Sequence, residues 1–264
     1  KVVSQILSFD LIYVFYPGKL GELLGRFIHL FNIDYGIYVR GQMFGKSKFG
    51  IKFLKKAKFI LTVSSELKKQ LSLYNENVDV IRPMISITQN DYYLRPSLTE
   101  VPKCIKLLFV GRIEERKGIF ELIEVAKLLN AYGMEFSLKI IGGGELYQTM
   151  LAKKQKNQIP NNIEFTGQIS DSDVLMQEYE NADAFIFPSH DEGFPRTLYE
   201  AMSKSLPIFT TFVGGIKGVM IDSYNCIEIP VKDFNTQAII INKGLLNIEN
   251  LNEIGENGLN TLGN

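Results

Sequence analysis

The sequence has no excess of one charge, few cysteines and no long apolar run, and each absence excludes a class of protein. Lysine plus arginine and aspartate plus glutamate both number 29, so no overall field favours nucleic acid. Cys104 and Cys226 lie far apart and show no zinc-site spacing with histidine. We expect two reduced core thiols in a cytoplasmic protein. No run reaches the ~18–20 apolar residues that span a bilayer.

The length of the chain and its first residues indicate how many domains it contains and whether it is part of a longer protein. A chain of 264 residues suffices for two domains of ordinary size, and an apolar fraction of 45% is typical of a globular protein with a sizeable core. The segment from Lys1 to Ser4 shows neither an initiator methionine nor a signal peptide. We therefore expect a piece of a longer protein.

A regular alternation of strand-like and helix-like segments begins at Cys104. Six strand-like runs and the helix-like segments between them predict a doubly wound parallel sheet. Asp171 as an N-cap and Gly133 as a helix-ending glycine support the pattern. The strands are predicted at 106–110, 137–141, 164–166, 184–188, 207–210 and 226–229, and the helices at 118–131, 145–157, 171–180, 196–204 and 216–222.

The first part of the chain alternates in the same way but is shorter. It amounts to about half of a doubly wound domain, and a proline-containing polar stretch follows it. We predict a partial N-terminal domain over 1–85, a linker over 86–103 and a C-terminal domain over 104–264. Within the first part, strands are predicted at 11–15, 36–39, 59–63 and 78–81, and helices at 19–32, 49–57 and 65–74.

Loops at the carboxyl ends of parallel strands are the usual ligand sites of such sheets, and one of them is basic. Arg112 and Lys117 lie in the loop that begins at Gly111. A guanidinium fork and an ammonium can hold a diphosphate from two sides. The alternative is a solvated charged turn in which Glu114 and Glu115 satisfy the basic residues.

Two further loops are rich in glycine. The run Gly142–Gly144 permits close approach of a ligand to the backbone, although it is equally compatible with a tight turn. Gly214 and Gly215 precede the predicted helix at 216–222. Together these loops place glycines on one edge of the sheet.

The most informative stretch runs from Pro188 to Met202. Pro195 suits the first position of a helix, and the free amides at a helix start favour an anion. Glu192 lies before this helix and Glu200 about one turn inside it, so two carboxylates that can accept hydrogen bonds from sugar hydroxyls flank its start. The alternative is a helix cap with a solvated glutamate.

These motifs, in this order, resemble the donor domain of the family 4 retaining glycosyltransferases of glycosyl transferases group 1. That family has the GT-B fold of two Rossmann-like α/β domains, and the resemblance covers 104–235 and, more weakly, about 10–85. It implies that the N-terminal domain is incomplete. The motifs that carry it are the Gly111–Gly118 loop, the Gly142–Gly144 turn, Gly167, the Glu192 and Glu200 pair, and Gly214–Gly215.

The resemblance implies a role for each site residue. Arg112 and Lys117 grip the diphosphate of a nucleotide sugar, Glu192 faces the transferred sugar, and no metal or cofactor is required. Glu200 binds the ribose hydroxyls, and the backbone at 168–169 contacts the base. The full set of remaining donor contacts is Gly111, Gly143, Ile169, Gly193, Phe194, Pro195, Thr197 and Glu200. The implied reaction is front-face transfer with retention to a saccharide or lipid-linked acceptor in surface polysaccharide or glycolipid assembly.

The sequence departs from that family in two respects. Arg40 stands where the family often has a histidine, and it fits either an acceptor or phosphate contact or a surface arginine. The opening strands of the acceptor domain are absent, and the C-terminal helix that crosses back is absent or cut short.

A basic stretch from Lys46 to Lys58 interleaves six lysines with apolar residues. Such a segment can lie transiently on anionic lipid at the inner face of a membrane. The alternative is a core-packing helix with a lysine outer face. His190 has no partner evident in the sequence, and we expect His29 to be at least partly buried.

Two other functions fit the same fold. A sugar-nucleotide epimerase releases isomers of the nucleotide sugar without an acceptor, and a phosphorylase requires a pyridoxal lysine for which the sequence offers no context. A non-catalytic nucleotide-sugar-binding subunit binds the donor without turnover.

Overall fold

A computed structural model describes residues 10–16, 18–39, 47–63, 65–81, 87–193 and 195–263. The chain forms two compact units. The first unit comprises Lys1–Met84, Glu192–Phe194 and Gly214–Val219. The second unit comprises Ile85–Asp191, Pro195–Val213 and Met220–Asn264. No helix in the described ranges is long and apolar enough to cross a membrane.

The first unit contains a four-stranded parallel sheet in the order β1–β2–β3–β4. Its second strand is buried at every position, as expected of a parallel strand covered on both faces. The elements are β1 (Ile12–Tyr16), α1 (Lys19–Leu30), β2 (Tyr35–Val39), α2 (Lys48–Lys56), β3 (Phe59–Thr62), α3 (Ser65–Leu71) and β4 (Val78–Val80).

The helix α2 shows why the basic stretch folds as it does. The Ser47 side chain accepts a hydrogen bond from the amide of Gly50 at 2.9 Å and so caps the first turn. Phe53 and Leu54 are buried in the core of the first unit, while Lys52 and Lys55 are exposed. The apolar side of this helix is therefore used for packing, as the alternative interpretation states.

The second unit contains a six-stranded parallel sheet in the order β10–β9–β8–β5–β6–β7. This is the doubly wound arrangement that the alternation predicts. The strands are β5 (Ile105–Val110), β6 (Phe136–Ile141), β7 (Ile163–Gly167), β8 (Ala184–Phe187), β9 (Ile208–Thr210) and β10 (Ile227–Glu228), and the helices are α4 (Ile119–Ala131), α5 (Tyr147–Gln155), α6 (Ser172–Asn181), α7 (Arg196–Ser203), α8 (Phe234–Leu245) and α9 (Ile248–Gly263).

Two predicted features are wrong. The helix expected at 216–222 is instead a short 3₁₀ helix over Gly214–Gly218, which begins with a φ of +55° at Gly214. Cys104 is exposed at the start of the sheet, so only Cys226 is a core thiol. In addition, the structure has two helices beyond 222, α8 and α9, for which the alternation gives no prediction.

The segment predicted as a linker, 86–103, falls in the second unit. It holds a 3₁₀ turn at Gln89–Asp91 and otherwise irregular backbone. Its hydrogen bonds reach distant elements, since the amide of Leu98 donates to Asn252 Oδ1 at 2.8 Å and Asn252 Nδ2 donates back to the Leu98 carbonyl at 2.9 Å.

Gly118 should tolerate no side chain. Its φ is +71°, and a Cβ there would lie 2.1 Å from the Pro188 carbonyl oxygen. We expect Gly118→Ala to lower the thermal unfolding midpoint by more than roughly 6 °C, since strain and overlap together cost ~3 kcal/mol. Gly133→Ala is the control, because its φ is +80° but a Cβ would meet nothing within 4 Å.

The control should lose only roughly 2–4 °C, as backbone strain of ~1 kcal/mol does in a domain of this size. Circular dichroism followed through heating measures both variants. Equal losses would show that the contact with Pro188 contributes nothing.

Candidate functional site

The strand order brings two loops of the second unit together. Strand β5 pairs with β6 on one side and with β8 on the other, so the connections run in opposite directions from this point. Ligands of doubly wound sheets bind in the crevice at such a reversal, at the carboxyl ends of the strands. The loops that leave β5 and β8 therefore flank the expected crevice.

Backbone contacts lock these two loops to each other. The carbonyl of Arg116 accepts hydrogen bonds from the amide of His190 at 2.8 Å and from Ser189 Oγ at 3.1 Å. Gly118 permits this approach, because its left-handed backbone lets the start of α4 lie against Pro188. The two loops thus form one rigid edge.

A buried carboxylate orders the basic residues of the first loop. Glu114 lies 2.6 Å from Arg112 Nη2 and 2.7 Å from Arg116 Nε. The hydrogen bond from Arg116, followed by the charges of Arg116, Arg112 and Lys117, lowers the pKa of Glu114. For Arg112 the alternative interpretation therefore holds in part, since Glu114 pairs with it.

The other predicted cation of this loop lies over an aromatic ring. Lys117 Nζ is 5.7 Å from the centre of the Phe187 ring, within the range of a cation–π contact. Phe187 is the last residue of β8, so Lys117 lies at the junction of the two loops. The Arg112 side chain is 68% exposed and remains able to contact solvent or a ligand.

A cavity of about 510 Å³ lies at the carboxyl ends of β5, β6 and β7. Gly142 and Gly144 have φ of +144° and +150°, and a Cβ on either would overlap backbone of the first loop. Gly143 has open space around it. The cavity brings together four predicted residues, Gly111, Arg112, Gly143 and Ile169; its full lining is Val110, Gly111, Arg112, Ile141, Gly142, Gly143, Gly144, Gln168, Ile169 and Leu175.

The start of α7 carries an unsatisfied hydroxyl. Pro195 is the N-cap and Arg196 the first helical residue, so the proline lies one position earlier than predicted. Thr197 Oγ1 is buried and has no hydrogen-bond partner within the described ranges. Buried hydroxyls are nearly always paired, so this atom is an exception among the buried polar groups of the described residues.

Glu200 lies one turn inside α7 and is held by a residue of another helix. Tyr179, which is fully buried in α6, donates its hydroxyl to Glu200 Oε2 at 2.8 Å. Burial raises the pKa of Glu200, while the Tyr179 hydrogen bond and the charge of Arg196 oppose that rise. The carboxyl group is therefore partly desolvated and oriented before any ligand arrives.

Glu192 and Gly193 belong to the first unit together with Gly214 and Gly215. The amide of Gly215 donates to the Gly193 carbonyl at 2.8 Å, and a Cβ on Gly214 would lie 1.7 Å from the Glu192 carbonyl oxygen. The glycines thus allow two chain segments to touch. Phe194 and Arg40 lie outside the described residues, as does Lys46 of the basic stretch.

The two histidines have different surroundings. His190 Nε2 is 3.1 Å from Glu121 Oε1 of α4, a partner that the sequence does not reveal. His29 is partly exposed on α1, where burial and the charges of Lys52 and Lys56 lower its pKa. The described residues contain no cluster of three or more His, Cys, Asp or Glu side chains suited to a metal ion.

Comparison with known proteins decides the family. The sequence profile of glycosyl transferases group 1 matches residues 94–261, well over half of the chain. The chain belongs to this family. A curated relative is the capsular polysaccharide biosynthesis glycosyltransferase CapM of Staphylococcus aureus, 33% identical over 152 residues, which cover 57% of this chain and 39% of CapM. The matched region thus spans about two fifths of the length of such relatives.

Solved structures confirm the GT-B fold for this member of glycosyl transferases group 1. Sucrose-phosphate synthase from Thermosynechococcus elongatus gives a TM-score of 0.77 at 19% identity, over 99% of this chain and 72% of that one. HepE of Anabaena, in complex with UDP and glucose, gives 0.75 at 18% identity, over 98% and 74%. At these identities the likeness shows the fold alone.

Sequence reasoning missed Tyr179, Arg116 and Glu121. Arg116 lies inside the basic motif and its charge was visible, so the motif itself gave the signal. Tyr179 is 21 positions from Glu200 and Glu121 is 69 positions from His190, and no local pattern links either pair. Only the packing of helices and loops in this glycosyl transferases group 1 member brings them together.

Proposed function

We propose that this protein is a family 4 retaining glycosyltransferase that moves a sugar from a nucleotide-diphosphate sugar to a saccharide or lipid-linked acceptor. The role fits surface polysaccharide or glycolipid biosynthesis on the cytoplasmic side of a membrane. The cavity at the carboxyl ends of β5–β7 carries the proposal, because glycine backbone lines it and Arg112 borders it. Its volume of about 510 Å³ suits a nucleotide-sized ligand.

The donor would be held by contacts of three kinds. Arg112 and Lys117 contact the diphosphate with the amides at the start of α7, and Thr197 Oγ1 gains a partner there. Glu200 accepts hydrogen bonds from the ribose hydroxyls, while Glu192 faces the sugar. The remaining contacts come from backbone and are made by Gly111, Gly143, Ile169, Gly193, Phe194 and Pro195.

Arg112 can contact the diphosphate while it keeps its ion pair with Glu114. A guanidinium has five N–H donors, and the contact at Nη2 uses one edge of it. Glu114 then restricts the side chain to one orientation before the donor arrives, which lowers the ordering cost of binding. The ion pair between Arg112 and Glu114 is therefore compatible with binding of a diphosphate by Arg112.

The proposed reaction needs positioning and stabilisation of charge rather than a catalytic base. The bond between the anomeric carbon and the phosphate oxygen breaks as the acceptor oxygen bonds to the same face of that carbon, and a phosphate oxygen takes the acceptor proton. Arg112, Lys117 and the start of α7 stabilise the negative charge that develops on the leaving diphosphate. With these groups in place we propose that neither a metal nor a cofactor is required.

Removing the side chain of Lys117 or of Glu200 should weaken nucleotide-sugar binding. We expect Lys117→Ala and Glu200→Ala each to raise the Kd for the donor at least about tenfold, or ~1.4 kcal/mol, because a charge-assisted contact is lost. Thermal-shift titration with nucleotide diphosphates and their sugars measures this, since a ligand stabilises the folded state by mass action. Lys156→Ala and Glu253→Ala, which change exposed residues, are the matched controls.

Unchanged donor affinity in both Lys117→Ala and Glu200→Ala would overturn the assignment of the site. Stabilisation of the wild type by none of the nucleotide diphosphates or their sugars would overturn the proposed function itself.

The stereochemistry of the product tests the reaction. With the full-length protein, we expect the new glycosidic bond to keep the anomeric configuration of the donor, and the rate to change less than about twofold with excess chelator. Proton NMR of the product reads the configuration. Inversion would contradict the front-face mechanism, isomers of the nucleotide sugar formed without acceptor would indicate an epimerase, and binding without turnover would indicate a non-catalytic subunit.

We also propose a transient electrostatic contact between the Lys46–Lys58 stretch and an anionic membrane. Its support is the exposed lysine face of α2, since the apolar side of the helix is buried. The contact therefore rests on charge rather than on insertion of apolar side chains. Such contacts contribute about 1 kcal/mol for each lysine near the surface.

Neutralising three lysines should release the protein from vesicles. We expect Lys52→Ala, Lys55→Ala and Lys56→Ala together to lower partitioning onto vesicles with anionic lipid by up to about a hundredfold at low salt. Cosedimentation with vesicles measures it. The control replaces three exposed lysines of the second unit: Lys127, Lys156 and Lys243. Equal loss in the control, or none in the test variant, would refute the contact.

A further inference from the structure

Tyr179, which contacts Glu200, has no role in the proposed chemistry, yet its ring, its hydroxyl and its backbone all make defined contacts. Tyr179 is fully buried, and its ring lies 5.6 Å from that of Phe185 in the sheet. Its hydroxyl donates a hydrogen bond to Glu200 Oε2 at 2.8 Å. A buried hydroxyl aimed at one carboxylate oxygen orients that carboxylate.

The backbone around Tyr179 is clamped as well. Arg95, from the segment before β5, donates from Nη2 to the Tyr179 carbonyl at 3.2 Å and from Nη1 to the Ala182 carbonyl at 2.8 Å. Its Nε donates to the Lys204 carbonyl at 3.3 Å. A single guanidinium therefore ties the end of α6 to the end of α7.

A second link lies beside the first. Lys204 Nζ at the end of α7 is 2.7 Å from Glu180 Oε1 on α6. Arg95 also contacts the turn that follows α7, because its amide donates to Ser205 Oγ at 2.8 Å. The two helices are thus fixed at their carboxyl ends, and the Tyr179 hydroxyl meets Glu200 between them.

We propose that Tyr179 is a positioning residue that engages Oε2 of Glu200 and directs Oε1 toward a hydroxyl of the donor. Within the described ranges, Tyr179 is the side chain that hydrogen-bonds this carboxylate. Fixing one oxygen removes rotamer freedom that Glu200 would otherwise lose on binding. The inference rests on the proposed function, in which Glu200 contacts the donor.

Tyr179→Phe tests the proposal, because it deletes the hydroxyl and keeps the ring and the backbone carbonyl. We expect the donor Kd and the KM for the donor to rise roughly tenfold to a hundredfold, as loss of a hydrogen bond to a charged group does. The KM for the acceptor should change little. Tyr132→Phe, which changes an exposed tyrosine of the same unit, is the matched control.

A double-mutant cycle separates positioning from a structural effect. In a Glu200→Ala background, Tyr179→Phe should produce no further loss of donor affinity, because the carboxylate that it orients is gone. Wild-type donor affinity in Tyr179→Phe, or a full additional loss in the double variant, would overturn the inference while leaving the proposed function intact. Failure of the wild-type protein to bind any nucleotide sugar would overturn both.

Discussion

The contact between Gly118 and the Pro188 carbonyl sets the distance between the two loops on which the candidate site depends. A side chain at Gly118 would separate them, because its Cβ would lie 2.1 Å from that oxygen. The Arg116 carbonyl then accepts two hydrogen bonds from the opposite loop. Lys117 lies between these two contacts in the chain, so its ammonium is carried on backbone that cannot shift without breaking them.

Two carboxylates of the second unit have opposite pKa shifts, and the difference reflects their surroundings. Glu114 contacts two guanidinium groups that lower its pKa, so it stays an anion and orders those groups. Glu200 has one hydroxyl donor, and burial raises its pKa. A desolvated carboxylate with one donor is stabilised by a second, which sugar hydroxyls can provide. Glu114 is thus satisfied internally, whereas Glu200 keeps the capacity to accept a further hydrogen bond, as its proposed role requires.

The sequence predicted the parallel sheets well, because short β-branched runs, Asp171 as a cap and Gly133 as a terminator are local signals. Helix α9 escaped prediction because it is rich in asparagine and glycine, which have low helix propensity. Its support is tertiary: a Cβ on Gly255 would lie 2.3 Å from the Ser205 carbonyl oxygen, and Leu251 is buried. In the site, loop glycines were predictable, whereas contacts such as Tyr179 with Glu200 depend on how separate helices pack.

Arg95 shows why the segment before β5 belongs with the second unit. Its guanidinium is largely removed from water, and burial lowers its pKa, so its N–H groups need acceptors inside the protein. Three main-chain carbonyls at the ends of α6 and α7 supply them. Helix carboxyl ends carry partial negative charge, so a cation there stabilises both helices at once. The chain that enters the sheet therefore also helps to fix the helix that carries Glu200.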